Sequence, residues 1–392
     1  MAIPRLREFG GPAVLSYGFR PFFLLGALYA AGSVLFWLPA WFGLVETQSL
    51  FAPVDWHVHE MLFGYLAAVV TGFLLTAIPN WTGRLPVQGW PLLGLVVLWL
   101  AGRAAVFCSA SIGWVAALAI DCAFLLALAG AATNEIVAGR NWRNLKVLVP
   151  LGVLLAANAL FHVEAQFSGM SDYARRLGFA AAVMLIVVIG GRIVPSFTRN
   201  WLARENPGRL PAPMGPFDFA TIVATVGAFA VWTLLPESGG SLALLALAAV
   251  MQAARLARWA GHRTLRDPLV LVLHVGYAFI PIGLALTALG IAFPDQVPAA
   301  AGLHALGIGA IGVMTLAVMT RASLGHTGRA LKAGPASTAV FVAVVVAALL
   351  RTAAALMGNP VGLVHAGGLL WAAAFAGFAL IHGRALLTRR RR

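Results

Sequence analysis

The chain has 392 residues, 61% of them hydrophobic and 10% charged, whereas a soluble domain carries about 25% charged residues; a large soluble domain is excluded. The net charge of +14 would suit nucleic acid, but the basic residues fall in short stretches between apolar runs, where they set orientation in a membrane. Cys108 and Cys122 both lie within apolar runs and form no CxxC pair, which argues against a disulfide framework or a zinc ribbon.

Apolar runs near 20 residues, the length a helix needs to cross about 30 Å of hydrocarbon, recur from end to end. About twelve spans are expected, over roughly 22–44, 57–80, 91–109, 112–135, 145–166, 177–198, 217–236, 241–258, 269–292, 302–322, 336–357 and 362–386. The fold class is therefore all-α, a polytopic integral membrane protein forming a single transmembrane domain over 1–392. The stretch Met1–Pro21 carries Arg5, Arg7 and Arg20 and lacks a small-residue cleavage site, so it does not read as a removed signal peptide.

Lys and Arg fall on one side of this alternation: Arg5, Arg7, Arg20, then Arg84, then Arg140, Arg143 and Lys146, Arg199, Arg204 and Arg209, Arg255, Arg258, Arg263 and Arg266, Arg329 and Lys332, and the tail Arg389–Arg392. The opposite loops hold Glu46, Asp55, Glu237 and Asp295, with Arg175 and Arg176 as the exceptions. Both termini are expected in the cytoplasm, and the basic tail reads as a topology anchor near anionic lipid.

Three segments end alike at that face: LLTAIPNWTGR (74–84), GGRIVPSFTRNW (190–201) and LAVMTRASLGHTGR (316–329). They close spans two, six and ten, a period of four spans. Four-helix repeats over 22–135, 145–258 and 269–386, about a pseudo-threefold axis, are the expectation.

Chemistry concentrates at Trp56-His57-Val58-His59-Glu60, where span two opens. Ionisable groups in spans mark relays or ligand sites, and imidazole is the commonest metal ligand. A metal or haem centre near one membrane face follows. Residues two apart on a helix point about 200° from each other, so His57 and His59 cannot both ligate one ion from a regular helix. Either the helix begins between them, or one is axial to a haem while the other binds copper or a propionate. His57 and Glu60, three apart, share a face, and Glu60 is a candidate proton carrier.

Of nine histidines, five share the outer depth: His57, His59, His162, His304 and His365. His304 is the natural partner for His59 across a haem, because Gly307, Gly309 and Gly312 beside it would let a flat macrocycle approach. Met314 and Met319 follow on the same span as soft-ligand candidates, or as core residues. Asn158 lies one turn before His162 as a candidate partner for that ring, with Glu164 close by. Towards the cytoplasm, His274 and His326 are further candidate metal ligands. Arg192, Arg321 and Asn80 join them in an inner cluster, the two arginines as clamps for a propionate or as a structural cap. His262 falls in a basic loop and His382 near the tail. Arg103 and Asp121 flank the turn between spans three and four and most simply pair inside the membrane.

No GxxxxGK[ST] loop, GxSxG elbow or HExxH motif occurs, and without CxxCH any haem is non-covalent. Nothing points to nucleic acid.

The stretches WHVHEMLFGYLAAVVTGFLLTAIPNWTGR (56–84) and VMTRASLGHTGR (318–329), with LWLAGR (98–103), AANALFH (156–162) and LHVGYAFIPIGL (273–284), resemble the NnrS family over nearly the whole chain. The resemblance implies a multi-pass protein of the bacterial inner membrane that holds haem b and copper and acts in nitric oxide metabolism and nitrosative-stress defence. His57, His59, Glu60, His162, His274, His304 and His326 stand in family-like contexts; His365 does not. The architecture is also similar to the main subunits of haem–copper oxidases and nitric oxide reductases, which place haem histidines on spans two and ten. Those proteins carry further metal ligands on spans six and seven, where this chain has no histidine. Reduction of nitric oxide with electrons from an unidentified donor, a non-enzymatic role in sensing or in handling haem or copper, and secondary transport past Arg103, Asp121, Arg192 and Arg351 are the three readings that follow.

Overall fold

A backbone in hydrocarbon must satisfy its own N–H and C=O groups, which a helix does within one segment. Twelve helices long and apolar enough to cross a membrane are present in the computed structural model, which describes residues 9–389. Arg5, Arg7 and the last three residues of the basic tail lie outside the described residues. The helices are α1 (Phe19–Trp41), α2 (Pro53–Thr82), α3 (Trp90–Phe107), α4 (Trp114–Ala138), α5 (Trp142–Ser168), α6 (Asp172–Glu205), α7 (Pro216–Leu234), α8 (Gly239–Arg263), α9 (Pro268–Ala292), α10 (Ala299–His326), α11 (Pro335–Leu356) and α12 (Val361–Leu387). Among the described residues there is no strand. Proline opens α2, α7, α9 and α11 at the first helical position, where its missing N–H is no loss. Gly83 and Gly169 close α2 and α5 in the left-handed conformation, the usual glycine helix stop.

Most boundaries fall within a few residues of the sequence reading. The exception is α6, which starts at Asp172 and runs to Glu205, well past both expected ends. Polar turns carry it beyond the apolar stretch. Asp172 pairs with Arg176 at 2.8 Å one turn on, and the Arg204 side chain donates to Asn200 O at 3.2 Å.

The chain divides into two compact units. One comprises residues up to Gly178, with Ala322–Arg329 and the stretch from Phe378 onward; the other comprises Phe179–Arg321 and Ala330–Gly377. Three of the limits fall inside α6, α10 and α12, and one falls after α10, between Arg329 and Ala330. In the first unit α2 packs on α1 and α4, α3 on α4, and α4 on α5. Helix α2 is the most deeply buried of the twelve, and α4 and α5 turn only one face inward. Arg20 at the start of α1 donates to the carbonyls of Ala385, Leu386 and Thr388 at 2.8–3.1 Å. It thereby caps the end of α12 and brings the two described ends together. In the second unit α7, α8 and α9 pack in series, and α10 lies against α9 and α11.

Three helices contain a π-helical segment: Glu60–Leu66 in α2, Ile186–Gly190 in α6 and Ala305–Gly312 in α10. These are the helices whose ends read alike in the sequence. A π turn displaces the backbone ladder by one residue and is frequent at functional sites. Carbonyls in all three segments take a side-chain donor: Trp99 Nε1 donates to Gly64 O at 2.9 Å, Arg255 Nη1 to Val187 O at 3.0 Å, and Thr315 Oγ1 of the same helix to Ile311 O at 2.6 Å. Trp99→Phe leaves the buried Gly64 carbonyl without that donor, a change of about 1–3 kcal/mol. A lowered midpoint in a thermal melt of the detergent-solubilised protein is expected. Trp90→Phe, at a residue 83% exposed, should leave the midpoint unchanged.

Candidate metal centre

His57 and His59 go separate ways, as their spacing requires. His57 stacks on Trp37 of α1 at a centroid distance of 4.3 Å. His59 turns inward and has no exposed surface. The helix becomes π-helical at the next residue, and this turns Glu60 towards His59 and not towards His57: Glu60 Oε1 lies 2.9 Å from His59 Nδ1.

Around this pair the first unit gathers a buried network from five helices. From α3, Arg103 Nη1 donates to both Glu60 oxygens at 2.6 Å, and its Nη2 donates to Asp121 of α4. Tyr29 of α1 donates its hydroxyl to Glu60 Oε2. Asp121 Oδ2 lies 3.2 Å from His59 Nε2 and 3.2 Å from His162 Nε2 of α5. Asn158, one turn before His162, places Oδ1 2.8 Å from His59 Nε2. Asn158 therefore serves His59 and not His162, whose expected partner it was. Two glycines admit the arrangement. A Cβ on Gly64 would meet Glu60 Oε2 at 2.8 Å and Arg103 Nη1 at 3.0 Å, and one on Gly102 would meet the Asp121 Cα at 3.2 Å. Gly64 leaves room for the ion pair; Gly102 lets α3 and α4 approach until Arg103 spans both carboxylates.

The donors and acceptors do not balance while His59 is a neutral, metal-free imidazole. His59 Nδ1 faces a carboxylate, and its Nε2 faces two oxygens. Asp121 faces that nitrogen whichever way the Asn158 amide is turned. An imidazole with acceptors on both edges needs either a second proton or a metal ion at Nε2. The charges agree: Arg103 supplies one positive charge against Glu60 and Asp121, and with neutral imidazoles one negative charge remains. Such an uncompensated charge is not stable in a dry interior.

His59, Asp121 and His162 each present one ligand atom, and these lie within 4.8 Å of one another. Two ligands on one transition-metal ion, with bonds of about 2.0–2.2 Å, are separated by about 3–4 Å, so small movements close the set on an ion. Among the described residues no other trio of His, Cys, Asp or Glu side chains meets in this way. Glu60 on Nδ1 supplies the carboxylate behind a ligating histidine that fixes its tautomer. The donor set fits a single first-row ion. It does not fit a macrocycle: the rings of Phe51, Phe63, Phe161 and His162 crowd His59 at 4.9–5.2 Å, and its Nε2 already meets Asp121 and Asn158.

The other sequence candidates are placed as follows. His304 ends the first α-helical part of α10; its Nδ1 donates to Ala300 O at 2.7 Å and its Nε2 accepts from Arg351 Nη2 at 2.9 Å. The glycines after it admit aromatic rings, not a macrocycle: a Cβ on Gly309 would strike Phe279 and one on Gly312 would strike Trp371, at 2.3 and 2.4 Å. Met314 and Met319 are buried core residues. His274 Nε2 meets Thr198 Oγ1 at 2.7 Å. Arg321 lies over the Phe197 ring at 3.8 Å, and Arg192 is exposed. His326 stacks on Tyr17 and Phe19. His365 bonds the Val361 carbonyl of its own helix. Glu164 accepts the Tyr173 and Ala174 N–H groups at the start of α6, away from His162. Asn80 is exposed and bonds Thr76 O.

Arg103 and Asp121 pair as their positions in the sequence imply, while nothing in the sequence marks Tyr29. The available signal was the charge itself: an Arg and an Asp in apolar runs, with no soluble loop to answer them.

Fold and site together define a multi-pass helical membrane protein with a buried His–Asp–His cluster steadied by an Arg–Glu pair. A family model described as NnrS protein matches residues 13–390, so the chain belongs to the NnrS family. Among curated proteins none gives a significant match.

Breaking one side of a buried ion pair costs about 3–5 kcal/mol because it strands the partner charge. Arg103→Gln should therefore lower thermal stability sharply, and adding Glu60→Gln should recover part of the loss. Arg84→Gln, which breaks the exposed 2.6 Å pair with Glu135, should change the melt little.

Proposed function

We propose that the protein binds one copper ion through His59 Nε2, Asp121 and His162 Nε2, and that it binds nitric oxide there in a bacterial nitric oxide response at the inner membrane. The observation that carries this reading is His59 Nε2, buried and facing the Asp121 carboxylate at 3.2 Å, in a cluster that with neutral imidazoles holds one surplus negative charge. Imidazole suits copper, and divalent copper stands highest in the affinity order for such ligands. When bound, copper supplies a one-electron, Lewis-acidic centre to which nitric oxide can coordinate. Nitric oxide is small, uncharged and soluble in lipid, so a site enclosed by helices needs no polar channel for it.

The chain's own groups divide the work. Glu60 holds the Nδ1 proton of His59 and so directs the Nε2 lone pair at the ion. Arg103 fixes both carboxylates at once. Phe51, Phe63 and Phe161 keep water from the imidazole. Glu60, joined to the half-buried Tyr29, is the group placed to pass a proton. Reduction of two nitric oxide molecules to nitrous oxide and water consumes two electrons and two protons. The protons would arrive by Tyr29 and Glu60, and the electrons from a separate donor. Haem b, which the sequence resemblance also implies, is not assigned to His59 or to the Gly307–Gly312 face, neither of which fits it.

The test is metal analysis of purified protein together with electron paramagnetic resonance before and after nitric oxide. About one copper per chain and a copper signal altered by nitric oxide are expected. Asp121→Asn and His162→Ala should lose the metal, and His304→Ala should keep it. Copper retained at full occupancy in both Asp121→Asn and His162→Ala would refute the site. Iron in its place, which two histidines and one carboxylate also suit, would keep the site and refute the choice of metal. Nitrous oxide released by reduced protein would establish turnover; binding without release would assign sensing.

A further inference from the structure

Five arginines among the described residues are buried: Arg20, Arg103, Arg176, Arg255 and Arg351. Four have their charge answered. Arg20 takes three helix-end carbonyls, Arg103 two carboxylates, Arg176 the Asp172 carboxylate, and Arg255 the Asp218 carboxylate at 2.9 Å. Arg351 is 7% exposed, and its one polar contact among the described residues is His304 Nε2 at 2.9 Å. That nitrogen can only accept, since Nδ1 carries the proton donated to Ala300 O, so the imidazole is neutral and leaves the guanidinium charge uncompensated. Arg351 Nη1 is buried with no hydrogen-bond partner, and so is the hydroxyl of Thr352 next to it in sequence.

The metal centre shows what is missing. His59 and His304 are each the residue immediately before a π-helical segment. Arg103 and Arg351 each lie on the helix that follows. In the first case the residue after the histidine is Glu60, which takes the guanidinium; in the second it is Ala305, fully buried and without a charge. The second arrangement has the arginine but no carboxylate at that position. The position is nonetheless built for the arginine: a Cβ on Gly367 of α12 would fall 2.7 Å from Arg351 Cγ, so that glycine makes room for the stem.

We propose that Arg351 binds a small monovalent anion, chloride or nitrite in size and charge, at Nη1, where it does for Arg351 what Glu60 does for Arg103. One positive charge calls for one negative charge. A phosphate, with higher charge and a larger hydration shell to lose, is disfavoured in so enclosed a setting. Charge-assisted hydrogen bonds from a guanidinium are strong enough to hold such an ion, and binding to the folded state alone raises the melting temperature with concentration.

Thermal melts of the detergent-purified protein in sodium gluconate, titrated with chloride, bromide or nitrite, test this without reference to the metal. The wild type should show a saturable rise of a few degrees, absent in Arg351→Gln. Because Arg351→Gln can fail to fold, the wild type is also crystallised in bromide, where an anomalous peak beside Arg351 Nη1 is expected. Equal rises in wild type and variant, or no saturable rise together with no bromide at Arg351, would overturn the proposal.

Discussion

A charge withdrawn from water into a helical bundle must be answered within a few ångströms, because hydrocarbon offers no screening and leaves a lone ion several kcal/mol uphill. The polar interior of this protein follows from that constraint. Arg103 is held between Glu60 and Asp121, Arg255 by Asp218, and Arg20 by the carbonyl end of the last long helix. Where the local sum is not zero, the proposed sites have an ion from outside the chain complete it. With neutral imidazoles the His59 cluster holds one surplus negative charge beside two ring nitrogens, which is why a cation is proposed there. Arg351 carries a positive charge beside a neutral imidazole, which is why an anion is proposed there.

The backbone takes part in the same balance. A π turn widens α2 just where Glu60 must face His59, and the indole of Trp99 takes the carbonyl of Gly64 within that turn. Gly64 and Gly102 then allow α1, α3 and α4 to close on the ion pair. Helix geometry, helix packing and charge pairing thus converge on one buried patch. A single change at Trp99, Gly102 or Arg103 is expected to disturb all three.

The fold was legible because hydropathy and the Lys/Arg alternation are properties of composition along the chain, and both read directly as spans. His59 and His162 stood out for the same reason: imidazoles in apolar runs are anomalies whatever they touch. Their company was not legible. That Asp121 faces His59 and that Asn158 serves α2 and not its own neighbour depends on how α2, α4 and α5 rotate about their axes. A π turn that shifts Glu60 by a fraction of a helical turn leaves no periodic signal. The glycines after His304 misled for a related reason. Small residues announce a close approach but not its occupant, and here the occupants are Phe279 and Trp371.

Membership of the NnrS family sets nitric oxide beside a site whose chemistry suits a redox-active ion, and the enclosure of that site suits a small lipophilic gas. The central claim is that a cation bound by His59 Nε2, Asp121 and His162 completes the buried charge balance. Copper K-edge X-ray absorption of the purified protein tests it most directly. The account predicts a first shell of two imidazole nitrogens and a carboxylate oxygen at about 2.0 Å, reduced to one imidazole in His162→Ala. A sulfur shell, or a shell with no imidazole contribution that is unchanged in His162→Ala, would contradict it.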